Sequence, residues 1–324
     1  MGKSPGLEMS LLDPLLRHLD LPLRAAHYPL GFRLNLATNS REVIDAVAEC
    51  WGPDSLQFDR PPIEMRVIVR PDGVLAPQPS FRSQGHLYSV VSDPDNFAVA
   101  DLQSLFAYVC VSSQTAADHA WLRWFFIESL GYTLLAQRYL VPVHAACVAR
   151  NGSGALLCGP SGAGKSTLSF ACARVGWTYI ADDCTWLLPE SGDRMALGKS
   201  RQIRLRGDAP LLFPELAGWA ERARPNGKLA MELPLGQFPR IQTATRCPVR
   251  CLVFLDRHSD GAARAEAMPP SAAVDSLLRD SPSYGDEVDA VRQRTLERLS
   301  AVPSYRLRYR SLGEGIELLS HLLE

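Results

Sequence analysis

The stretch Gly159-Pro160-Ser161-Gly162-Ala163-Gly164-Lys165-Ser166 decides how this chain is organised. It matches the pattern G-x-x-x-x-G-K-[ST], in which the backbone N–H groups of a glycine-rich loop surround phosphate groups. An apolar run, residues 155–158, precedes the stretch, and residues 167–173 follow it with helical spacing and no breaker. The sequence therefore predicts a strand, a phosphate-binding loop and a helix, and with them a site for a nucleoside triphosphate.

Each residue type of this loop has a chemical reason to be there. The N-terminus of the following helix presents unpaired N–H groups and a partial positive charge to an anion. Lys165 adds a mobile positive charge, and the Ser166 hydroxyl is a suitable Mg²⁺ ligand. We expect the nucleotide to contact residues of the loop and of the first turn of its helix: Gly159, Ser161, Gly162, Ala163, Gly164, Lys165, Ser166 and Thr167.

The composition is that of a globular chain and argues against two classes of partner. Of the 324 residues, 46% are hydrophobic and 21% are charged, which is typical of a folded protein. The formal net charge is −1, so no field of a single sign points to nucleic acid or to a membrane surface. Because we find no signal-peptide pattern, no apolar run of transmembrane length and no C-x-x-C pair, we expect a cytoplasmic protein.

Secondary-structure patterns divide the chain at about residue 140. Residues 1–139 combine alternating, strand-like segments with a long helix predicted over 117–138, and we expect an α+β accessory domain that recognises the substrate. Residues 140–324 hold the phosphate loop among further strand-like runs and are predicted to form an α/β catalytic domain. The end of this second part, residues 265–324, is mostly helical in pattern.

Two aspartates follow the first strand predicted after the helix of the loop. The run 177–181 ends at Asp182 and Asp183, which places both carboxylates at the carboxyl end of a strand beside the loop. Carboxylates in that position are suited to hold Mg²⁺, or to accept the proton of an attacking hydroxyl. The less favoured alternative is a pair of exposed turn residues without a chemical role.

His144 lies in the strand predicted before the loop strand. Residues 143–150 and 155–158 flank the turn 151–154, so the two strands are expected to form a hairpin. A lone histidine in a strand is more often a core residue than a catalyst. The hairpin, however, would hold this imidazole close to the phosphate site or to Asp182.

Missing motifs narrow the class of phosphate-loop protein. Transport ATPases carry a similar loop, but this sequence has no LSGGQ-like signature, and its aspartates follow the loop too closely for that class. A GTPase would need the base-reading N-K-x-D, which is also absent.

Four features together resemble, in order and spacing, the catalytic domain of the HPr kinase/phosphorylase family. They are His144, the hairpin, the loop and the segment Ile180-Ala181-Asp182-Asp183. The resemblance covers about residues 140–190 strongly and 191–260 loosely. It implies a phosphoenolpyruvate-carboxykinase-like nucleotide fold with a mixed sheet, ATP and Mg²⁺ as cofactors, and phosphate transfer to a serine of a small protein. The second signature of that family, of the type E-I-R-G-x-G, has only a distant counterpart at residues 201–207. The chain is more similar to stand-alone HPr-kinase-related proteins, some of which phosphorylate a precursor peptide.

Carried onto this sequence, the resemblance implies a role for each candidate residue. Lys165 and the loop glycines would hold the phosphates of ATP. Ser166 and Asp183 would hold Mg²⁺. Asp182 would act as the base toward the acceptor hydroxyl, with His144 beside it, and the division of roles between the two aspartates stays open.

Two basic residues further along the chain are weaker candidates. Lys228 follows the turn Asn226-Gly227 and would meet the γ-phosphate. Arg257 stands at the end of a predicted strand and would neutralise charge in the transition state. For both residues a solvated position at the surface is the more common outcome.

The sequence thus predicts an ATP- and Mg²⁺-dependent kinase whose acceptor is a hydroxyl, first of all a serine of a protein or peptide. Two alternatives stay open: a small-molecule kinase for a sugar or an acid, and a non-catalytic ATP-binding module that regulates a partner. Small-molecule kinases usually begin with the loop strand, whereas a hairpin and a whole domain precede it here. No nucleic acid or membrane partner is expected, and a homo-oligomer is left open.

Overall fold

The computed structural model describes residues 20–189, 194–258, 260–279 and 286–324. The chain divides into two compact units, Met1–Leu134 and Leu135–Glu324. Both units combine helices with sheets whose strands run in both directions, so the chain is a mixed α/β protein, as its sequence predicts. Within the described ranges, no helix is long and apolar enough to cross a membrane.

A seven-stranded sheet forms the first unit. Its strands are β1 (Leu23–His27), β2 (Phe32–Thr38), β3 (Phe58–Arg70), β4 (Ser80–Gln84), β5 (Leu87–Val91), β6 (Phe97–Asp101) and β7 (Phe106–Ser112). They lie in the order β1-β2-β3-β7-β6-β5-β4; among the neighbouring pairs of this described sheet, β2–β3 and β3–β7 are parallel and the others are antiparallel. The helix α1 (Arg41–Trp51) connects β2 to β3 and buries Val43, Val47 and Trp51, which share one face because they are spaced by four residues.

The aromatic segment after β7 confirms the helix predicted for 117–138 except at its start, because unbroken helical geometry begins at His119 and continues to Arg138. Its pieces are α2 (Ser113–Ala117), α3 (His119–Leu122), a π-helical stretch (Arg123–Glu128) and α4 (Ser129–Arg138). Between the first two pieces, Asp118 leaves helical geometry and its side chain accepts the N–H of Trp121 at 3.0 Å. An aspartate competes with the helix for backbone N–H groups, a break that apolar spacing alone does not reveal.

The described residues of the second unit form two sheets. Their strands are β8 (Val141–Val143), β9 (Ala145–Arg150), β10 (Ser153–Cys158), β11 (Thr178–Ala181), β12 (Thr185–Leu187), β13 (Met195–Leu197), β14 (Gln202–Leu205), β15 (Arg222–Ala223), β16 (Leu229–Pro234), β17 (Gln242–Thr243), β18 (Arg246–Arg257), β19 (Arg264–Ala267) and β20 (Ser304–Tyr309). The large sheet has the order β17-β11-β9-β10-β18-β13-β12-β8, with β20 and β19 added beside β18. The small sheet has the order β14-β16-β15.

Helices cover both faces of the large sheet. They are α5 (Lys165–Arg174), α6 (Pro270–Arg279), α7 (Asp286–Leu299) and α8 (Leu312–Leu323). Side chains of α5 and α8 pack on one face of β10, and side chains of α6 and α7 pack on the other. The strand β10 is therefore buried on both sides, which explains why its sequence is continuously apolar instead of alternating.

Two local features of the second unit concern the site. The small sheet packs against α5, where Phe170 belongs to the same buried cluster as Ile203 and Met231. The segment 304–309, which the sequence predicts within a mostly helical region, is instead the strand β20, parallel to β18. Its apolar residues alternate with arginines, and this short period-two pattern is easily overlooked between two helices.

Candidate active site

A tight hairpin leads into the loop strand. Its turn is Asn151-Gly152, with φ angles of 52° and 78°. Asn and Gly are the residues that tolerate this left-handed geometry, and the turn twists as two antiparallel strands require. The resulting register pairs Ala145 with Cys158, the last residue of the loop strand. His144, one residue before β9, therefore stands at the end of the sheet where the loop begins.

The strand predicted over 143–150 is interrupted at His144. Val143 ends β8 and pairs with β12, whereas Ala145 begins β9 and pairs with β10. His144 thus belongs to neither ladder, and its side chain is 32% exposed. Its Nε2 lies 3.4 Å from Oδ1 of Asp183. The interruption brings the imidazole to the second of the two aspartates.

The loop spans residues 159–164, between β10 and α5. Gly162 and Gly164 adopt φ angles of 91° and 93°, a region that residues with a Cβ rarely enter. Gly164 is the N-cap of α5. A Cβ placed on it would lie 3.4 Å from the hydroxyl oxygen of Tyr309, which comes from β20. The strand–loop–helix order that the motif predicts is present.

Lys165 is the first residue of α5, and its ammonium is turned onto the loop. Nζ donates to the carbonyl oxygens of Gly159 at 2.7 Å and Pro160 at 3.2 Å. The residue is only 6% exposed. Because the four-carbon stem of lysine is flexible, the same ammonium would reach an anion bound in the loop. Ser166 follows in the first turn of α5 and is half-buried.

Asp182 follows β11 and is buried. Its Oδ2 accepts the backbone N–H of Arg204 at 2.8 Å. Burial raises the pKa of this carboxyl above its ordinary value, although the N–H and the positive charge of Arg204 act in the opposite direction. Asp182 therefore binds a proton more readily than an exposed aspartate does.

Asp183, the next residue, is in a different environment. Its side chain is 59% exposed. The contact with His144 lowers the pKa of the carboxyl, and the charges of His144, Arg204 and Lys165 contribute in the same direction against partial burial. The pKa values of the two adjacent carboxyls are thus shifted in opposite directions. Since the charge of Lys165 acts on Asp183, this aspartate is within electrostatic reach of the loop.

Sequence reasoning missed a cluster of charged residues on the small sheet. Nε of Arg204 lies 2.8 Å from Oε1 of Glu232, and Nε of Arg224 lies 3.8 Å from the same oxygen. The Arg224 side chain is only 13% exposed. Burial lowers the pKa of Arg224, and the charge of Arg204 adds to this, whereas Glu232, Asp183 and Asp182 raise it. For Arg204 the available signal was the alternating order Gln-Ile-Arg-Leu-Arg over 202–206, which puts Arg204 and Arg206 on one face.

The two weaker candidates lie in different places. Lys228 is exposed in the turn of the β15–β16 hairpin, where its backbone N–H donates to the Asn226 side chain at 3.2 Å. Arg257 ends β18 and pairs with Tyr309. Burial raises the pKa of Tyr309 to about 12, and the charge of Arg257 counteracts that shift. Arg257 therefore lies beside Tyr309, whose hydroxyl is near Gly164, the N-cap of α5.

The chemistry of the available donors fits Mg²⁺ better than a metal held by protein alone. Among the residues that the structure describes, no group of three or more His, Cys, Asp or Glu side chains is arranged to hold a metal ion. Mg²⁺ keeps several waters and takes one or two carboxylates together with substrate phosphates. The hydroxyl of Ser166 and the carboxylate of Asp183, whose pKa is lowered, are hard oxygen donors of this type.

Comparisons with known proteins find one matching family model and a set of similar solved structures. The family model described as "SynChlorMet cassette protein ScmC" matches residues 108–196, a segment that contains His144, the loop and both aspartates. No curated protein matches the chain. The structure of the HPr(Ser) kinase/phosphatase from Coxiella burnetii is similar with 14% identity and a TM-score of 0.30, over 56% of this chain and 94% of that one.

Proposed function

We propose that this protein is an ATP- and Mg²⁺-dependent kinase that transfers the γ-phosphate to a hydroxyl, most favourably a serine of a protein or peptide. One observation carries the proposal. Three features stand at the same end of the large sheet: the glycine-rich loop with Lys165, the pair Asp182–Asp183, and His144, which contacts Asp183.

Binding of the nucleotide is assigned to the loop. Its backbone N–H groups and the N-terminus of α5 attract the phosphates, and Lys165 would exchange its bonds to two loop carbonyls for bonds to phosphate oxygens. Ser166 and Asp183 would hold Mg²⁺, which supplies neutralisation of the phosphate charge when it is bound. These residues account for the nucleotide half of the reaction.

Activation of the acceptor is assigned to Asp182. A general base works best when its pKa approaches the working pH, and burial shifts the pKa of Asp182 in that direction. The N–H of Arg204 holds one carboxylate oxygen, and the other oxygen would accept the proton of the hydroxyl. His144, in contact with Asp183, would orient this neighbouring carboxylate.

The test is phosphate transfer from ATP by the purified full-length protein, with serine-containing peptides and with small hydroxyl compounds as acceptors. Lys165→Ala is expected to lose nucleotide binding, and Asp182→Asn is expected to keep binding but to lose roughly 100-fold or more in transfer rate. Asp275→Asn, an exposed aspartate on α6, is the matched control and should retain full activity.

Three results would argue against the proposal. Transfer at an unchanged rate by both Lys165→Ala and Asp182→Asn would exclude the kinase mechanism. Transfer to a small hydroxyl compound alone would favour a small-molecule kinase. Binding of ATP without any turnover would favour a regulatory module.

A further inference from the structure

The strand β14 connects the buried aspartate to the small sheet, and one arginine lies within it and another directly after it. The backbone N–H of Arg204 donates to Asp182 at 2.8 Å, while its side chain turns to Glu232, its cross-strand partner. Side chains two residues apart in an extended chain point the same way. Arg206, directly after the strand, therefore emerges on the side of the sheet that Arg204 uses.

The guanidinium of Arg206 lies against the phosphate loop. A Cβ placed on Gly162 would be 3.6 Å from Nη2 and 3.9 Å from Nη1 of Arg206. The side chain is exposed, and within the described parts of the chain it makes no ion pair with any carboxylate. Arg204, in contrast, is paired with Glu232. An uncompensated guanidinium thus stands beside the middle glycine of the loop.

The backbone around Arg206 is held on both sides. The preceding residues are paired with β16. The following residue, Gly207, donates its N–H to the Glu221 carboxylate at 2.6 Å, and a Cβ on Gly207 would lie 2.6 Å from that same group. A side chain at position 207 would displace this carboxylate. The arginine is therefore presented to the loop from a defined position, although its own side chain is open to solvent.

We propose that Arg206 is a second cationic ligand of the nucleotide and contacts its terminal phosphate across the loop at Gly162. This inference rests on the proposed function. The planar guanidinium matches the oxygens of a phosphate group in a bidentate manner, which an ammonium does not. Lys165 would approach the phosphates from α5, and Arg206 would approach them from β14. The same strand then serves both halves of the reaction, because it also satisfies Asp182.

The test is calorimetric titration of the full-length protein with Mg·ADP and with the non-hydrolysable Mg·β,γ-imido-ATP. A charge-assisted hydrogen bond contributes about 1.5–3 kcal/mol, so Arg206→Gln should weaken binding of the triphosphate by about tenfold or more. Binding of Mg·ADP should change by less than about threefold, since the contact is to the terminal phosphate. Arg206→Lys should restore part of the loss. Arg240→Gln, another exposed arginine of the same unit, is the control and should bind like the wild type.

The outcomes separate this inference from the function on which it rests. If the wild type binds neither nucleotide, the proposed function fails together with the inference. If the wild type binds both and Arg206→Gln binds them equally well, only the role of Arg206 is refuted. An equal loss for Mg·ADP and for the triphosphate analogue would also refute it. Equal thermal stability of Arg206→Gln and the wild type without nucleotide excludes a merely structural effect.

Discussion

At the scale of single residues, environment separates side chains that the sequence presents as equivalent. Asp182 and Asp183 are adjacent, yet burial raises the pKa of the first, whereas the contact with His144 lowers the pKa of the second. A base and a metal ligand need these opposite properties. The assignment of Asp182 to proton transfer and of Asp183 to Mg²⁺ therefore has a physical reason that residue type alone does not supply.

Tyr309, whose hydroxyl lies near Gly164 of the loop, allows a prediction about the free energy of unfolding. Its hydroxyl is buried and has no hydrogen-bond partner among the described residues. Such a group costs about 1–3 kcal/mol, so we expect Tyr309→Phe to be at least as stable as the wild type in urea unfolding without nucleotide. Tyr179→Phe is the matched control, because the Tyr179 hydroxyl donates to the carbonyl of Gln202 at 3.1 Å. The control should lose about 1 kcal/mol. A comparable loss in Tyr309→Phe would contradict the expectation.

At the scale of elements, the first unit has an ionic connection between two helices. Nδ1 of His119, at the start of α3, lies 2.6 Å from Oε1 of Glu49, and Nε2 lies 2.9 Å from Oε2 of Glu42. Both glutamates belong to α1, on one face because they are seven residues apart. Burial lowers the pKa of His119, but the two carboxylates outweigh it, and the net pKa is raised.

This connection predicts a pH-dependent stability of the first unit. A raised pKa in the folded state means that the contribution is fully present below the unfolded value, near 6.5, and is lost as the pH rises through the folded value. His119→Gln should therefore reduce the free energy of unfolding at pH of about 5.5, and little at about 8.5. Because the glutamates are half-exposed, we expect a few tenths of a kcal/mol.

A double-mutant cycle provides the control for this prediction. Glu42→Gln should cost stability at the acidic pH in the wild-type background and nothing further in the His119→Gln background. Equal effects of Glu42→Gln in both backgrounds would show that the pair contributes nothing.

At the scale of the whole molecule, nucleotide binding and the stability of the second unit should be linked. A ligand that binds only the folded state adds about 2.7 kcal/mol at 100 times its Kd. We expect Mg·ATP to slow hydrogen exchange in residues 153–183, around the loop, and to leave the sheet of the first unit unchanged. Lys165→Ala should abolish the effect. Uniform protection of both units, or the same protection in the variant, would contradict the assignment of the nucleotide to the loop.

Much of the fold follows from local patterns, and the failures have local causes too. The strand before the loop, the loop helix and the Asn151-Gly152 hairpin are present, because apolar runs, turn residues and glycines act over a few neighbouring residues. The aromatic helix was predicted to start at 117, whereas it starts at His119, because the capping by Asp118 is a side-chain effect that spacing does not record. The strand β20 was missed because its period-two pattern is short and lies between two helices.

The sequence by itself determined the phosphate loop, its strand and helix, and the two carboxylates that follow, because all of these depend on short-range geometry. Only the tertiary structure decided which groups meet at the loop. In the folded chain His144 contacts Asp183, and Arg206 lies beside Gly162. Asp182 is buried and accepts the backbone N–H of Arg204. These contacts join residues 22 to 44 positions apart, and they follow from strand register and burial, which exist only when the chain is folded.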